Sequence, residues 1–478
     1  MKDSISSFWE NNPALCLGLS LLLGSLFALH TPWVLLPMGC LLLFNRQVFV
    51  SLLAFLLPCC LVYQFYFFPK CESEVEGKFY IHSIRKTERF GLGWNYSGSL
   101  KTSHGSLCCR CFARTYYPPN QIYKIKGKVG KLHGKTYSIK TRDDWVSCGN
   151  RRSLVAWRYR AQNYVKNYIE KEIPQSNAAH FLTGMVTGQL EDRILSQAFS
   201  SLGLSHLMAI SGLHFSLLAF LFHIFLRLFL PPKLEALCLM LLLSFYFLFI
   251  GFTPSIIRAW LMAMIFLLGK LVEKQSRPLN SLGFALCLSL VFDPLSVMTL
   301  SFQLSFLATG GILFFYVPCD RLIRYWLPKY PLKEVISHSR FWQHGYIAAA
   351  TLREGLALIL AVHIAILPLL LASFHTFPLN SLFYNLFFPL IASLALIFFL
   401  CGIICGHYMH LLNGHYCAWI LKLTENPPVR LKAVYLEQFP DWLLALCFTS
   451  LFVLAILCQI KQRADRFTIT DNPLLNHF

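Results

Sequence analysis

The chain alternates long apolar stretches with short polar turns, except over one extended hydrophilic region. A helix needs about 20 apolar residues to cross the hydrocarbon core of a bilayer. Candidate crossings fall at 13–29, 33–44, 47–68, 204–230, 235–251, 254–272, 279–292, 295–316, 350–372, 379–404, 405–423 and 442–460. The stretches at 33–44 and 279–292 are short enough to be re-entrant or paired with a neighbour, so about ten or eleven transmembrane helices are expected. Residues 13–29 are followed by another apolar stretch and by no small-x-small cleavage site, which argues against a signal peptide.

Between residues 69 and 150 the hydrophobic period shortens to two. Strands are expected near 76–86, 96–102, 106–116, 121–130 and 135–145, separated by turn signals such as Pro118-Pro119-Asn120 and His133-Gly134. Five short strands suit a small Greek-key barrel of OB type. Residues 151–173 return to helical spacing: Leu154, Trp157, Ala161, Tyr164, Val165 and Tyr168 recur on one side, with Arg151, Arg152, Arg158, Lys166 and Lys171 on others. That is either a helix lying in the membrane interface or one packed on the barrel. The expected fold class is therefore a mainly α polytopic membrane protein with an inserted small OB-type β-barrel. Its parts are N-terminal helices at 1–68, the barrel at 69–150, an amphipathic connector at 151–178, a helical channel domain at 179–460 and a tail at 461–478.

Composition excludes a soluble globular chain, since 56% of residues are hydrophobic and 14% charged, against about 25% charged in soluble domains. The formal charge is +19, and residues 69–178 carry 21 Lys+Arg against 8 Asp+Glu, so one basic module holds most of the excess. Such a surface suits polyanions, either nucleic acid or anionic lipid headgroups. Lys and Arg in short loops orient the chain: with the N-terminus cytoplasmic, the basic module lies outside and the loop at 317–345 inside. Lys124, Lys126 and Lys128 lie two apart and share one strand face, opposite Tyr123, Ile125 and Val129. This face is either simply solvated or contacts phosphates, with Lys140 and Arg142 as further candidates for DNA contact.

Most of the 17 Cys lie in apolar stretches, where Cys behaves as a small buried residue. In the module, a disulfide from Cys71 or Cys148 to one of Cys108, Cys109 and Cys111 is compatible with an extracytoplasmic site, whereas a zinc site built on these three lacks a second ligand pair. The string GKVGKLHGKTY at 127–137 has Val129 where a phosphate-binding loop needs Gly, so no nucleotide site and no cofactor are expected.

The most informative stretch is GLSHLMAISGLHFSLL at 203–218, which sets His206, Ser211, Gly212 and His214 among apolar residues. Polar groups at membrane depth face a helix contact or a watery path. Ser211 and His214 have the spacing of a nucleophile pair but no nearby carboxylate, and His206 and His214 lack the spacing of a helical zinc pair. A helix broken at Ser211-Gly212, with its polar groups lining a passage or a helix contact, is the better physical fit. Arg258, Gln303, Ser305, Asn380 and Asn385 are further polar groups in apolar stretches, and Arg353 and Glu354 are expected to neutralise one another or to snorkel.

The string HLMAISGLHFSLL, with LTGMVTGQL at 182–190, SIIRAWLMA at 255–263, DPLSVMTLSFQLSF at 293–306 and FPLNSLFYNLFFPL at 377–390, resembles the competence region of the ComEC family in order and spacing. The helices, barrel and connector before it resemble that family too. The resemblance implies a non-enzymatic channel in the bacterial cytoplasmic (inner) membrane that passes single-stranded DNA inward during natural transformation. His206, Ser211, Gly212, His214, Arg258, Gln303, Ser305, Asn380 and Asn385 would form the core of the passage, and the barrel would meet DNA outside. Long members of the family continue into a metallo-β-lactamase-like domain with an H-x-H-x-D-H motif. The motif is absent from this sequence, so strand degradation is expected to belong to another protein. Single-stranded DNA, membrane lipids, an envelope DNA receptor and a cytoplasmic DNA translocase are the implied partners, and the chain could self-associate as a homo-oligomer. Two other classes share these features: a transporter or scaffold for an anionic lipid or envelope precursor, and an intramembrane hydrolase using Ser211 and His214.

Overall fold

A computed structural model describes residues 2–29, 34–43, 48–66, 68–87, 93–133, 135–141, 144–189, 193–204, 212–274, 277–429, 433–436 and 439–470. The N-terminal helices are α1 (Lys2–Asn11), α2 (Pro13–Ala28), α3 (Leu35–Leu43) and α4 (Val48–Phe65). After the β module come α5 (Leu154–Glu172), α6 (Ser176–Thr187), α7 (Arg193–Ser201), α8 (Gly212–Arg227), α9 (Pro232–Ile250), α10 (Pro254–Leu271) and α11 (Pro278–Phe292). A 3-10 turn (Pro294–Met298) leads into α12 (Leu300–Ile323), α13 (Leu332–Ser337), α14 (Arg340–Phe374), α15 (Asn380–Cys405), α16 (His407–Glu425) and α17 (Asp441–Thr470).

Among the described residues, seven helices are long and apolar enough to cross a membrane: α4, α9, α10, α12, α14, α15 and the Trp442–Lys461 part of α17. Shorter apolar helices are Pro13–Ala28, His214–Arg227 and Pro278–Phe292. Against the expected ten or eleven crossings, the described residues thus hold seven full-length apolar helices and three short ones, the pattern of a multi-pass membrane protein. The stretch at 33–44 forms only the nine residues of α3, and α16, too polar to qualify, is not among the seven. The short helices survive because they bury their flanks tightly. A Cβ on Gly24 would lie 2.0 Å from the Phe55 carbonyl oxygen, and one on Gly283 would lie 2.2 Å from the Leu15 nitrogen. Helix backbones thus touch directly across α2, α4 and α11, the small-residue packing that replaces the hydrophobic effect inside lipid.

The basic module has six strands, β1 (Glu74–Thr87), β2 (Gly93–Thr102), β3 (Gly105–Ala113), β4 (Gln121–His133), β5 (Thr136–Thr141) and β6 (Val146–Asn150). The expected last strand at 135–145 is shortened to β5, and β6 follows it as a sixth strand that was not expected. The sheet order is β1-β2-β3-β5-β4-β6, with an additional β1–β4 pairing that returns the ladder to its first strand. All pairings are antiparallel except β3–β5. Phe79, Tyr96, Tyr123 and Trp145 are buried at its centre, where the Trp145 ring stacks on Tyr117 at 4.5 Å. A short two-stranded antiparallel sheet, β7 (Thr376–Pro378) with β8 (Ala433–Tyr435), ties the entrance of α15 to the loop after α16.

Buried side chains decide how α5 sits. Ser153 caps it by accepting the Val155 amide, and its Arg158 Nε donates to the Leu248 carbonyl at 2.9 Å. Gln162 Nε2 donates to the carbonyls of Phe249 at 2.9 Å and Ile250 at 3.3 Å, and its amide oxygen accepts from Gln189 at 2.7 Å. The last carbonyls of α9, which no intrahelical donor can reach, are thereby satisfied, and a guanidinium at a helix C-terminus also suits its dipole. The connector is therefore bolted across the end of α9 and also touches β1. On its far side α16 packs through histidines: His407 Nδ1 to Glu172 at 2.7 Å, His410 Nε2 to Tyr168 at 2.9 Å and His415 Nδ1 to Gln175 at 3.3 Å.

Two charged knots brace the helices. Glu235, buried on α9, holds His223 of α8 at 2.6 Å and Lys270 of α10 at 2.9 Å. Arg353 does not pair with Glu354 as expected: it is buried, and its Nε lies 3.5 Å from Asp320 of α12, which Arg324 also engages. A buried cation needs its partner on the facing helix, and Asp320 is the carboxylate that packing brings there.

Candidate functional site

The polar residues singled out in the sequence meet where α8, α10 and α12 converge. α8 begins at Gly212, while α7 ends at Ser201 and Leu204 is already outside a helix. The break expected at Ser211-Gly212 falls at the edge of the described residues, which resume at Gly212. His206 and Ser211 themselves lie outside the described residues. The backbone entering this stretch is held by Gly203, at φ +72°, whose Cβ position would lie 2.5 Å from the Ser381 Cβ at the start of α15. That left-handed turn and the close approach both require glycine.

Arg258 sits in the first turns of α10. Its Nε donates to Ser305 Oγ at 2.7 Å, and its Nη1 donates to Thr309 Oγ1 one turn further along α12. Its Nη2 lies 2.8 Å from where a Cβ on Gly212 would stand. One guanidinium thus bridges two helices and rests against the bare backbone of the third, a fork geometry that lysine could not reproduce. Gly212, Arg258 and Ser305 are brought together. Thr309 was missed by sequence reasoning, although its i+4 spacing from Ser305 places both hydroxyls on one face.

The other candidates are placed differently. His214 is buried on α8, facing an apolar cavity between α8, α9 and α15. Gln303 turns back and donates to the Val297 carbonyl at 2.7 Å, fastening the 3-10 turn to the start of α12. Asn380 is buried at the first residue of α15, and the amide oxygen of Asn385, one turn further on, is enclosed without a hydrogen-bond donor among the described residues. His363, buried on α14, donates through Nδ1 to the Ile359 carbonyl at 2.8 Å, and its Nε2 lies 3.5 Å from Ser381 Oγ. It too was missed, although a histidine in an apolar run is the same signal that marked His214.

In the β module Lys124, Lys126 and Lys128 are exposed, and Tyr123, Ile125 and Val129 are buried, the alternation expected of β4. The register sets Lys126 opposite Glu76 and Lys128 opposite Glu74 on β1, and Lys128 opposite Lys140 on β5. Lys124 Nζ pairs with Glu76 at 2.6 Å. This hydrogen bond raises the Lys124 pKa and lowers that of Glu76. The face is a mixed ladder in which Lys126, Lys128 and Lys140 keep the basic excess. Arg142 lies outside the described residues. Tyr80 is sandwiched by Lys101 at 5.3 Å and Arg151 at 5.5 Å, and Tyr116 is exposed, so these two rings remain on the surface while most of the module's aromatics form its core. The thiols of Cys71, Cys108, Cys109, Cys111 and Cys148 are not joined. Cys109 and Cys111 are buried in the core, Cys108 is half-buried, and Cys71 and Cys148 are exposed.

Lys135 in the module forms an ion pair with Asp293, between α11 and the 3-10 turn. The module is thereby fastened to the apolar helices at the turn that Gln303 secures. Among the described residues no group of three or more His, Cys, Asp or Glu could hold a metal ion.

Comparison with known proteins follows from this geometry. Residues 187–461, which contain Gly212, Arg258, Ser305 and both asparagines, match the model of the Competence protein family. The chain is similar to ComE operon protein 3 of Bacillus subtilis (strain 168), 26% identical over 293 residues, covering 59% of this chain and 34% of that protein. The chain thus spans about a third of the length of the curated relative it matches. No solved structure matches it.

Proposed function

Because the chain belongs to the Competence protein family, whose model covers more than half of it, we propose that it is an inner-membrane channel that passes single-stranded DNA into the cytoplasm during natural transformation. The observation that carries this reading is Arg258, a half-buried guanidinium held by Ser305 and Thr309 and backed by Gly212. Unlike Arg353 and Lys270, which carboxylates brace, this cation is held by hydroxyls that do not neutralise it, so it favours an anion among the apolar helices. His214 and the enclosed Asn385 oxygen add polar groups in the same helical region.

The closed strand circuit of the module supports reading it as a small OB-type barrel on the extracytoplasmic side. OB folds bind single strands through basic grooves and stacked rings; here Lys126, Lys128 and Lys140 would meet phosphates, with Tyr80 and Tyr116 as stacking faces. The Lys135–Asp293 pair would place that surface above the helices that hold Arg258. Delivery by an envelope DNA receptor and traction by a cytoplasmic translocase complete the proposal. It assigns no catalytic residue in this chain.

The test is uptake of fluorescent DNA into the cytoplasm of a competent host lacking its own channel, complemented by this chain and by His206→Ala, His214→Ala and Arg258→Gln, with membrane insertion checked. Restored uptake that the variants lose supports the passage. A well-inserted wild-type chain that restores none, with compatible partners present, favours an anionic-lipid transporter or scaffold instead.

A further inference from the structure

The cavity behind His214 has a lining unlike the Arg258 junction. Its volume is about 500 Å³, within the roughly 300–1,000 Å³ of small-ligand pockets. Its wall combines the first half of α8 and the second halves of α9 and α15, with α5 across one end through Tyr164 and Tyr168. The lining is aliphatic and aromatic apart from His214 and three tyrosines. A phosphodiester strand would find no cation there, whereas a hydrocarbon chain needs none.

The mouth faces sideways. Phe245 of α9 and Ile403 of α15, both on the lining, are 60% and 56% exposed, and both helices are membrane-crossing in length and composition, so these residues meet lipid. Leu396 and Ile403 bound the lining on α15. Seven residues of helix rise about 10 Å, which fits within one leaflet of a core about 30 Å thick. That leaflet is the one at α5, because Arg158 and Gln162 pin α5 to the end of α9 nearest the cavity. Tyr164, 75% exposed, stands at the lip. Arg160, exposed, lies one turn before it, and Lys171, exposed, three residues after Tyr168. The acids of this segment are already engaged, Glu170 by Lys166 and Glu172 by His407.

We propose that this cavity binds one acyl chain of an anionic phospholipid, with the headgroup held on α5 by Arg160 and Lys171. The lipid tail then completes the wall behind His214, and membrane composition acts on the helix that begins at Gly212. The lip chemistry is that of membrane interfaces generally: tyrosine at headgroup level with basic residues beside it.

The experiment uses the full chain in phosphatidylcholine vesicles containing phosphatidylglycerol that carries a diazirine on one acyl chain. After illumination, adducts are mapped by mass spectrometry, with the outward residues Phe49 and Leu53 of α4 as the reference for bulk lipid. Adducts are expected on 217–222 and 396–403. They should disappear in Leu218→Trp, which fills the cavity, and fall about five-fold in Arg160→Gln, the effect of one basic group at an anionic surface, while α4 labelling stays constant. Wall labelling that is absent, or that is equal with a phosphatidylcholine probe and unmoved by Arg160→Gln, overturns the proposal. Loss of the wall adducts on adding a single-stranded oligonucleotide also overturns it, by placing the cavity in the DNA path. The readout is lipid attachment, so it is independent of whether the chain restores DNA uptake.

Discussion

Gly212→Ala tests whether Arg258 really organises the junction of α8, α10 and α12. Gly212 is not among the glycines with positive φ, so alanine fits the backbone, and in a helix this exchange ordinarily stabilises by about 0.5–1 kcal/mol. Here the new methyl would lie 2.8 Å from Arg258 Nη2. The guanidinium must retreat by about half an ångström or more to reach ordinary contact, and it cannot do so while keeping both the 2.7 Å bond to Ser305 and the bond to Thr309. Losing one hydrogen bond from a charged donor costs about 1.5–3 kcal/mol, so the net expectation is a destabilisation of about 1–2 kcal/mol, opposite in sign to the helix-propensity effect. Thermal unfolding of the detergent-solubilised chain measures it, with DNA uptake as the functional readout. Arg258→Met removes the clash, so the double variant should show a smaller second loss than the two single losses added together. A Gly212→Ala protein as stable as wild type, or strict additivity in the double variant, would refute the reasoning.

Gln162→Leu strips the α9 carbonyls and the Gln189 amide of their partner, and should destabilise by about 2–4 kcal/mol, read as an earlier melting transition. A change smaller than about 0.5 kcal/mol would mean that water already serves those carbonyls. Burial lowers the His410 pKa, so the folded state keeps this imidazole neutral: its stabilisation is full above the unfolded value of about 6.5 and is lost as pH falls below it. Hydrogen exchange of α16 should therefore quicken on acidification below that pH, and His410→Gln should remove this dependence. Lys126→Gln with Lys128→Gln should lower the salt slope of single-stranded DNA binding by about 1.4, from roughly 0.7 per phosphate contact. Lys124→Gln alone should change it less, because Glu76 already neutralises that side chain; equal effects from all three lysines would count against the ladder.

Long apolar runs and strand alternation were legible because each is enforced locally. Lipid tolerates only backbone that satisfies itself within a helix, so a crossing must be written as a continuous run. The β4 alternation is enforced just as locally by a sheet with one face buried. β6 escaped notice because all five of its residues are exposed, which leaves no alternation to read. The first ten residues of α14 escaped because they are polar and aromatic, and a hydropathy pattern starts only where the apolar run does. The polar candidates could be named from their cost in lipid, but not their partners: Arg353 finds Asp320, 33 positions earlier, and not its neighbour Glu354.

What the sequence determined by itself, then, is the division into apolar helices, a basic β module and an amphipathic connector, together with the short list of polar residues that lipid would otherwise exclude. Only the tertiary structure decided which of those residues meet. It set Gly212, Arg258, Ser305 and Thr309 at one junction, turned Gln303 back on its own chain, and laid α5 over the end of α9 to close a cavity behind His214. The physical reason is that burial constrains each residue through its immediate surroundings, whereas a hydrogen bond between helices depends on the packing distance and rotation of segments tens of residues apart.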